Sequence, residues 1–156
     1  MRPLYIFDLD GTLADGTHRV HLIQQEPKQW DEYFEACDGD RPIESVIKIA
    51  NSLHDTSADI WIYSGRSDQV RKKTVTWLTA HLGWVLSLYL QGNPEVLKMR
   101  QHGDHQPDDE LKESWLLAMT PEDRERLVAV FDDRDRVVAM WRRNNVTCLQ
   151  VAPGDF

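Results

Sequence analysis

Leu4-Tyr5-Ile6-Phe7-Asp8-Leu9-Asp10-Gly11-Thr12 decides the reading of this 156-residue chain. The apolar run reads as a buried strand, and Gly11 breaks it into a turn. In a strand, residues i and i+2 share a side, so Asp8 and Asp10 are expected to face one centre. Two carboxylates about 4 Å apart repel by on the order of 4 kcal/mol at an effective dielectric near 20. A cation is therefore expected beside them, and Mg²⁺, a hard ion that takes oxygen ligands, is the natural candidate.

Outward from this strand, strand and helix signals alternate, which predicts an α/β fold with a central parallel sheet covered by helices. A short helix is expected around Gln29 to Cys37. Asp40-Arg41-Pro42 reads as a helix start, Asp40 capping and Pro42 in the first turn, with Ile43, Val46, Ile47, Ala50 and Leu53 as its apolar stripe. Ala58 to Tyr63 is the second predicted strand, Ser67 to His81 a helix closed by Gly83, and Val85 to Leu90 the third strand. Gln91 to Asp109, with two glycines and two prolines, gives no clear pattern beyond a short extended stretch at Val96 to Arg100. Asp108 to Ala118 reads as helix, Leu127 to Phe131 as strand, Arg134 to Arg143 as helix and Thr147 to Val151 as the last strand.

Three predicted strands end in polar clusters: Asp8-Leu9-Asp10, Ser64-Gly65-Arg66 and Asp132-Asp133-Arg134. Ligands of open α/β sheets sit beyond the carboxyl ends of the strands, so these clusters are expected to form one site. Ser64-Gly65-Arg66, read as a turn opening a helix, suits a phosphate. Asp132 and Asp133 either complete an oxygen shell with Asp8 or cap the helix that follows. Lys98 and Lys112 compete as the basic group beside them.

Composition narrows the classes. The chain carries 18 Lys and Arg against 26 Asp and Glu, a formal charge of −8, with 41% apolar residues. Its length fits one domain. No apolar run reaches a membrane span, and Met1-Arg2-Pro3 leading straight into a strand is unlike a secretory signal. Cys37 and Cys148 stand apart without metal-type spacing, so both are expected to be reduced in a cytoplasmic protein. So acidic a chain is unsuited to tracking a nucleic-acid backbone; a polynucleotide substrate would be gripped by its end.

The Asp-x-Asp-Gly-Thr run resembles the signature of the haloacid-dehalogenase-like superfamily, in its phosphatase and phosphomutase branch, which keeps the second aspartate. The resemblance implies a three-layer Rossmann-like fold with a small cap inserted after the first strand, here about residues 16–40. A closer resemblance lies in the last third. Met99-Arg100-Gln101-His102-Gly103-Asp104, Pro107-Asp108-Asp109-Glu110-Leu111-Lys112-Glu113, Phe131-Asp132-Asp133-Arg134, Met140-Trp141-Arg142-Arg143 and the closing Cys148-Leu149-Gln150-Val151-Ala152-Pro153-Gly154-Asp155-Phe156 resemble the 3′-phosphatase domain of phage-type polynucleotide kinase/phosphatases.

That likeness implies Asp8 as nucleophile and Asp10 as general acid/base. It further implies Arg19, Ser64, Arg66, Asp108 and Lys112 as catalytic partners, and Thr12, Gly65 and Arg100 as substrate contacts, a salt bridge being the equal alternative for Arg100. Asp8, Asp10, Asp132 and Asp133 would serve the Mg²⁺ site. The implied reaction passes through an aspartyl-phosphate. Asp10 protonates the leaving alcohol, so its proton affinity is expected to be raised.

Two features depart from the family. No Gly-x-x-x-x-Gly-Lys-[Ser/Thr] loop is present, which implies a stand-alone phosphatase, a partner of a separate 5′-kinase, or an excised domain. The stretch Gly16 to Asp40 does not follow the family pattern, and its Trp30, Tyr33 and Phe34 suit either stacking on a base or the segment's own small core. The expected activity is removal of 3′-phosphates from DNA or RNA ends. The alternatives are a phosphatase of 3′-nucleotides or another small phosphomonoester, and a non-catalytic partner domain. Arg71-Lys72-Lys73 to Trp77 and Trp141-Arg142-Arg143 read as solvated faces or as a homo-oligomer contact.

Overall fold

The structure is a computed structural model that describes residues 1–156. Its centre is a five-stranded, all-parallel sheet of β1 (Leu4–Phe7), β4 (Asp59–Ser67), β5 (Leu97–Arg100), β6 (Leu127–Asp132) and β7 (Cys148–Gln150), in the order β5-β4-β1-β6-β7. β1 is the middle strand, and the chain switches sides there, the position at which a doubly wound sheet opens a crevice.

Alternation along the strands divides the core into two layers. Leu4 and Ile6 of β1, with Trp61 and Tyr63 of β4, pack on one face against α6 (Asp108–Leu117) and α8 (Asp135–Arg143), with the short α7 (Pro121–Arg126) between them in the chain. Phe7 of β1, with Ile60 and Ile62 of β4, packs on the other against α3 (Glu44–Asp55), α4 (Arg71–His81) and α5 (Trp84–Leu90). Phe7 and Phe131 stack at 4.3 Å between β1 and β6, aligning the two strand ends that carry the aspartates. Asp135 in the first turn of α8 and Arg142 and Arg143 in its last complement the helix dipole.

Residues 16–40 leave and return through a two-stranded ribbon, β2 (Ala14–Asp15) against β3 (Arg41–Pro42). Between them lie a 3₁₀ turn at Thr17–Arg19, α1 (His21–Gln24), α2 (Trp30–Glu35) and a second 3₁₀ turn at Ala36–Gly39.

Four expectations are corrected. Val85 to Leu90 is helix: Val85 is buried while Leu86 and Leu90 are exposed, and the strand beside β4 is Leu97–Arg100. α3 begins at Glu44 rather than at Arg41-Pro42, which pair in the ribbon, and Asp40 does not cap it. β4 runs through Ser67, so Ser64-Gly65-Arg66 ends a strand and opens no helix. A 3₁₀ turn at Asp68–Val70 intervenes before α4, and Gly83 leads into α5. Trp77 and Trp141 are 5% and 0% exposed, so both indoles belong to the core and neither offers a subunit contact. No helix is long and apolar enough to cross a membrane, and both cysteines are free.

Trp141→Ala in the second core layer is expected to cost about 3–5 kcal/mol, the range for deleting a large buried aromatic. Leu90→Ala, at a position 73% exposed, should stay within about 0.5 kcal/mol. Urea unfolding midpoints of the two variants check the contrast.

Candidate active site

The three strand ends meet as expected. Asp8 follows β1 and donates its backbone N–H to Phe131 O at 2.9 Å, which locks the aspartate beside the end of β6. Gly11 takes φ of +84°, and a Cβ there would run into the Asp133 carboxylate, so only glycine brings the turn this close. Asp8, Asp132 and Asp133 are all buried and offer oxygens within 4.8 Å of one another.

Of the two lysines, Lys112 reaches the site. Its Nζ donates to Asp8 Oδ1 at 2.6 Å and to Asp132 Oδ2 at 2.8 Å from the first turns of α6. Lys98 instead pairs with Glu95 at 2.9 Å and lies over the Tyr63 ring. Thr12 Oγ1 donates to Asp8 Oδ2 at 3.0 Å; expected as a substrate contact, it holds the aspartate itself.

One ammonium faces three carboxylates. Burial pushes Asp8 well above the usual carboxylate range, with Asp132 and Asp133 adding to the effect and Lys112 opposing it. Burial and then the Asp132 charge push Asp133 up to about 6. This donor set, all hard oxygen and short of positive charge, fits Mg²⁺. The Asp10 carboxylate lies outside this group of oxygens, engaged by two arginines.

Asp10 instead joins a second charge cluster. Arg66 donates from Nε to both Asp10 oxygens at 3.0 Å and from Nη2 to Asp10 Oδ1 at 2.7 Å. Arg19 Nη2 donates to the same oxygen at 2.7 Å. The two guanidiniums are fully enclosed and also share Asp40, which accepts from Arg19 at 2.7 Å on each oxygen and from Arg66 Nη2 at 2.6 Å. Two arginines and two aspartates balance. Although burial acts upward on Asp10, Arg66 and Arg19 together hold it below the usual range. The expectation of a raised Asp10 is thus corrected for the free protein.

Arg66 gets there through a bulge. Ser64 pairs with Met99 and Ser67 with Arg100, so Gly65 and Arg66 stand out of the ladder. Ser64 Oγ accepts from Arg66 N at 3.2 Å inside the bulge and is fully buried. A Cβ on Gly65 would strike the Asp108 carboxylate. Asp108 is held by Arg100 at 2.5 Å and Arg134 at 3.2 Å, and Arg100 also donates to Gly65 O and Gln106 O. Arg100, expected as a substrate contact, is engaged by the protein and ties the 101–108 loop to β4.

Three contributors escaped the sequence reading. Asp40 reads from its neighbours as a helix cap, and no local signal ties it to Arg19 and Arg66, 21 and 26 residues away. Ser67 and His102, whose side chains lie 3.4 Å apart, also line the pocket; His102 sits within the Met99–Asp104 stretch and Ser67 just after Ser64-Gly65-Arg66, but neither is singled out by its residue type. A cavity of about 650 Å³ opens over Asp8, Asp10, Lys112, Asp132 and Asp133.

The family model of the polynucleotide kinase PNKP phosphatase domain matches residues 2–156. The chain belongs to that family. A chain of a Pnkp1/Rnl/Hen1 RNA repair complex is 26% identical with a TM-score of 0.72, over 99% of this chain and 44% of that one. A chain of a further Pnkp1/Rnl/Hen1 complex gives 25% and 0.74, over 99% and 48%. This PNKP-type phosphatase domain therefore spans just under half the length of those chains. The class C acid phosphatase from Bacillus anthracis with tungstate bound, 15% identical with a TM-score of 0.63 over 99% of this chain and 67% of its own, shares the fold. The family match itself makes this domain a phosphatase domain of the haloacid-dehalogenase-like class.

Asp40→Asn should destabilise the protein by about 3–5 kcal/mol, because it leaves two enclosed guanidiniums short of a counter-charge; chemical denaturation measures it. Asp133, near 3.9 when unfolded and about 6 when folded, favours the native state below pH 4, and that contribution is lost as pH rises from about 4 to about 6. In metal-free protein Asp133→Asn should flatten this fall, roughly 2 kcal/mol in size. Thermal melts across that window check it, and added Mg²⁺ at pH 7 should raise the wild-type Tm more than the variant's.

Proposed function

We propose that this domain is a Mg²⁺-dependent phosphomonoesterase that removes 3′-phosphates from polynucleotide ends. The observation that carries the reading is the pair of separately charged aspartates, Asp8 beside a cation-deficient acidic cluster and Asp10 beside two arginines. Their environments differ, as two carboxylates with different tasks require.

Asp8 attacks phosphorus in line, forming an O–P bond while the bond to the 3′-oxygen breaks. Thr12 and Lys112 hold the attacking carboxylate in one orientation. Asp10 gives a proton to the departing alkoxide, then takes one from the water that opens the aspartyl-phosphate and frees Asp8. Arg19 and Arg66 fix the Asp10 carboxylate, which makes them positioning residues. An arriving phosphate dianion adds negative charge beside Asp10 and raises its proton affinity for this exchange. Asp8, Asp132 and Asp133 would hold Mg²⁺, which orients the phosphate and offsets its charge against Asp8. Ser64 shapes the bulge, and Asp108 with Arg100 sets Gly65, whose backbone borders the pocket.

Residues 16–40 act as the cap: they contribute Ile23, Trp30, Tyr33 and Phe34 to the pocket wall. So small an insert leaves room for a chain end. Similarity to chains of Pnkp1/Rnl/Hen1 complexes supports a role in nucleic-acid repair beside a separate 5′-kinase. Two free cysteines suit the cytoplasm.

Phosphate release from matched oligonucleotides bearing a 3′- or a 5′-phosphate, and from 3′- and 5′-mononucleotides, tests the reading. Release from 3′-ends that stops on chelation, and falls at least about 10³-fold in Asp8→Asn, is expected. Preference for mononucleotides, which the −8 charge would suit, moves the function to small phosphomonoesters.

A further inference from the structure

The lining of the cavity is divided by chemistry. The floor is charged, from Asp8 to Asp133, whereas residues 16–40 supply the apolar side chains Ile23, Trp30, Tyr33 and Phe34 along with Asp31, and Phe156 adds a further ring. Three aromatic rings of that segment lie together, and the structure gives them different surroundings. Tyr33 lies under Arg19, whose guanidinium carbon sits 4.2 Å from the ring centre. Phe34 is half-buried and packs against the larger core layer. Trp30 belongs to neither core layer and remains 46% exposed within the cavity lining. Phe34 backs its ring at 5.9 Å and 27°, and Tyr33 meets it edge-on at 5.9 Å and 88°.

The Lys28 ammonium lies 5.9 Å from the centre of the Trp30 ring, at the end of a flexible side chain that can swing away. An indole braced by two rings, about half exposed and set in the wall of a charged cleft is suited to a flat apolar partner. One cavity lined by both the charged floor and the indole suits a group that carries both a phosphate and a planar ring.

We propose that Trp30 is the platform on which the terminal nucleobase stacks while its 3′-phosphate lies over Asp8. The proposal rests on the 3′-phosphatase reading and makes the 16–40 segment the specificity element of the site. Every base has a π-face, so the platform grips the terminal nucleoside without reading its identity. The braced chain Trp30–Tyr33–Arg19–Asp10 holds the platform in register with the acid/base carboxylate. Phe156, the other exposed aromatic of the lining, also faces a cation, the Arg134 guanidinium at 5.3 Å, but no aromatic ring braces it as Tyr33 and Phe34 brace Trp30.

The test compares two oligonucleotides of equal length with a 3′-phosphate, one carrying a base on its last nucleotide and one abasic there. Wild-type protein should favour the base-bearing substrate by about ten-fold in kcat/KM, the scale of one base–aromatic stack, and the preference should appear in KM. Trp30→Ala should bring the ratio close to one, and Trp30→Phe should keep most of it. Should the alanine variant fail to fold, the wild-type ratio and its retention in Trp30→Phe still decide. A ratio near one in wild-type protein that turns over both substrates overturns the stacking and leaves the 3′-phosphatase reading standing. A ratio lost in Phe156→Ala and kept in Trp30→Ala also overturns it. Turnover of a small phosphomonoester with neither oligonucleotide cleaved overturns both readings together.

Discussion

A guanidinium removed from water needs a counter-charge within hydrogen-bond reach, and this domain encloses two of them. Arg19 and Arg66 are fully buried, and Asp10 and Asp40 are what makes their burial tolerable. Each of the four residues comes from a different part of the chain: the turn after β1, the start of the 16–40 segment, its end, and the bulge of β4. The charge requirement is thus a geometric one. It draws the insert down onto the sheet, pulls the end of β4 out of its ladder and presents Asp10 at the pocket. Trp77 adds to this by donating its indole N–H to Asp40 O at 2.8 Å, which ties α4 to the same point.

The acidic cluster obeys the opposite logic. Its single buried ammonium leaves negative charge unbalanced, and Gly11 lets Asp133 approach where any side chain would keep it away. One cluster is complete within the chain, while the other has room for an additional positive charge. Placing them on either side of one pocket gives two aspartates two residues apart contrary electrostatic environments.

Much of this was legible in the sequence. The β1 run and its aspartates, the convergence of three strand ends, and the helices α6 and α8 follow from local pattern and from strand geometry. Local pattern failed where tertiary contacts decide. Val85 to Leu90 holds apolar residues at both strand and helix spacings, and only the packing of Val85 against the core with Leu86 and Leu90 left outside selects helix. Asp40 reads as a cap from its neighbours Arg41 and Pro42, yet its partners are 21 and 26 residues away. The bulge at Gly65-Arg66 is invisible before the register with β5 is known. Nor does a chain of letters show that Arg100 and Thr12 turn inward to hold other site residues.

The ribbon of β2 and β3 looks like a place where the intervening segment could be exchanged between relatives. The charge cluster says otherwise. Arg19 and Asp40 lie on the insert, Asp10 and Arg66 on the sheet, so a transplanted segment lacking either member would leave an unmatched ion in the interior. The segment is electrically neutral at those two positions but not independent of the sheet. Ion pairing constrains the two ends of the segment, at Arg19 and Asp40, and leaves the residues between them, where α1 and α2 lie, to packing alone. The boundary of the exchangeable unit is therefore drawn by ion pairing, a few residues inside the boundary drawn by secondary structure.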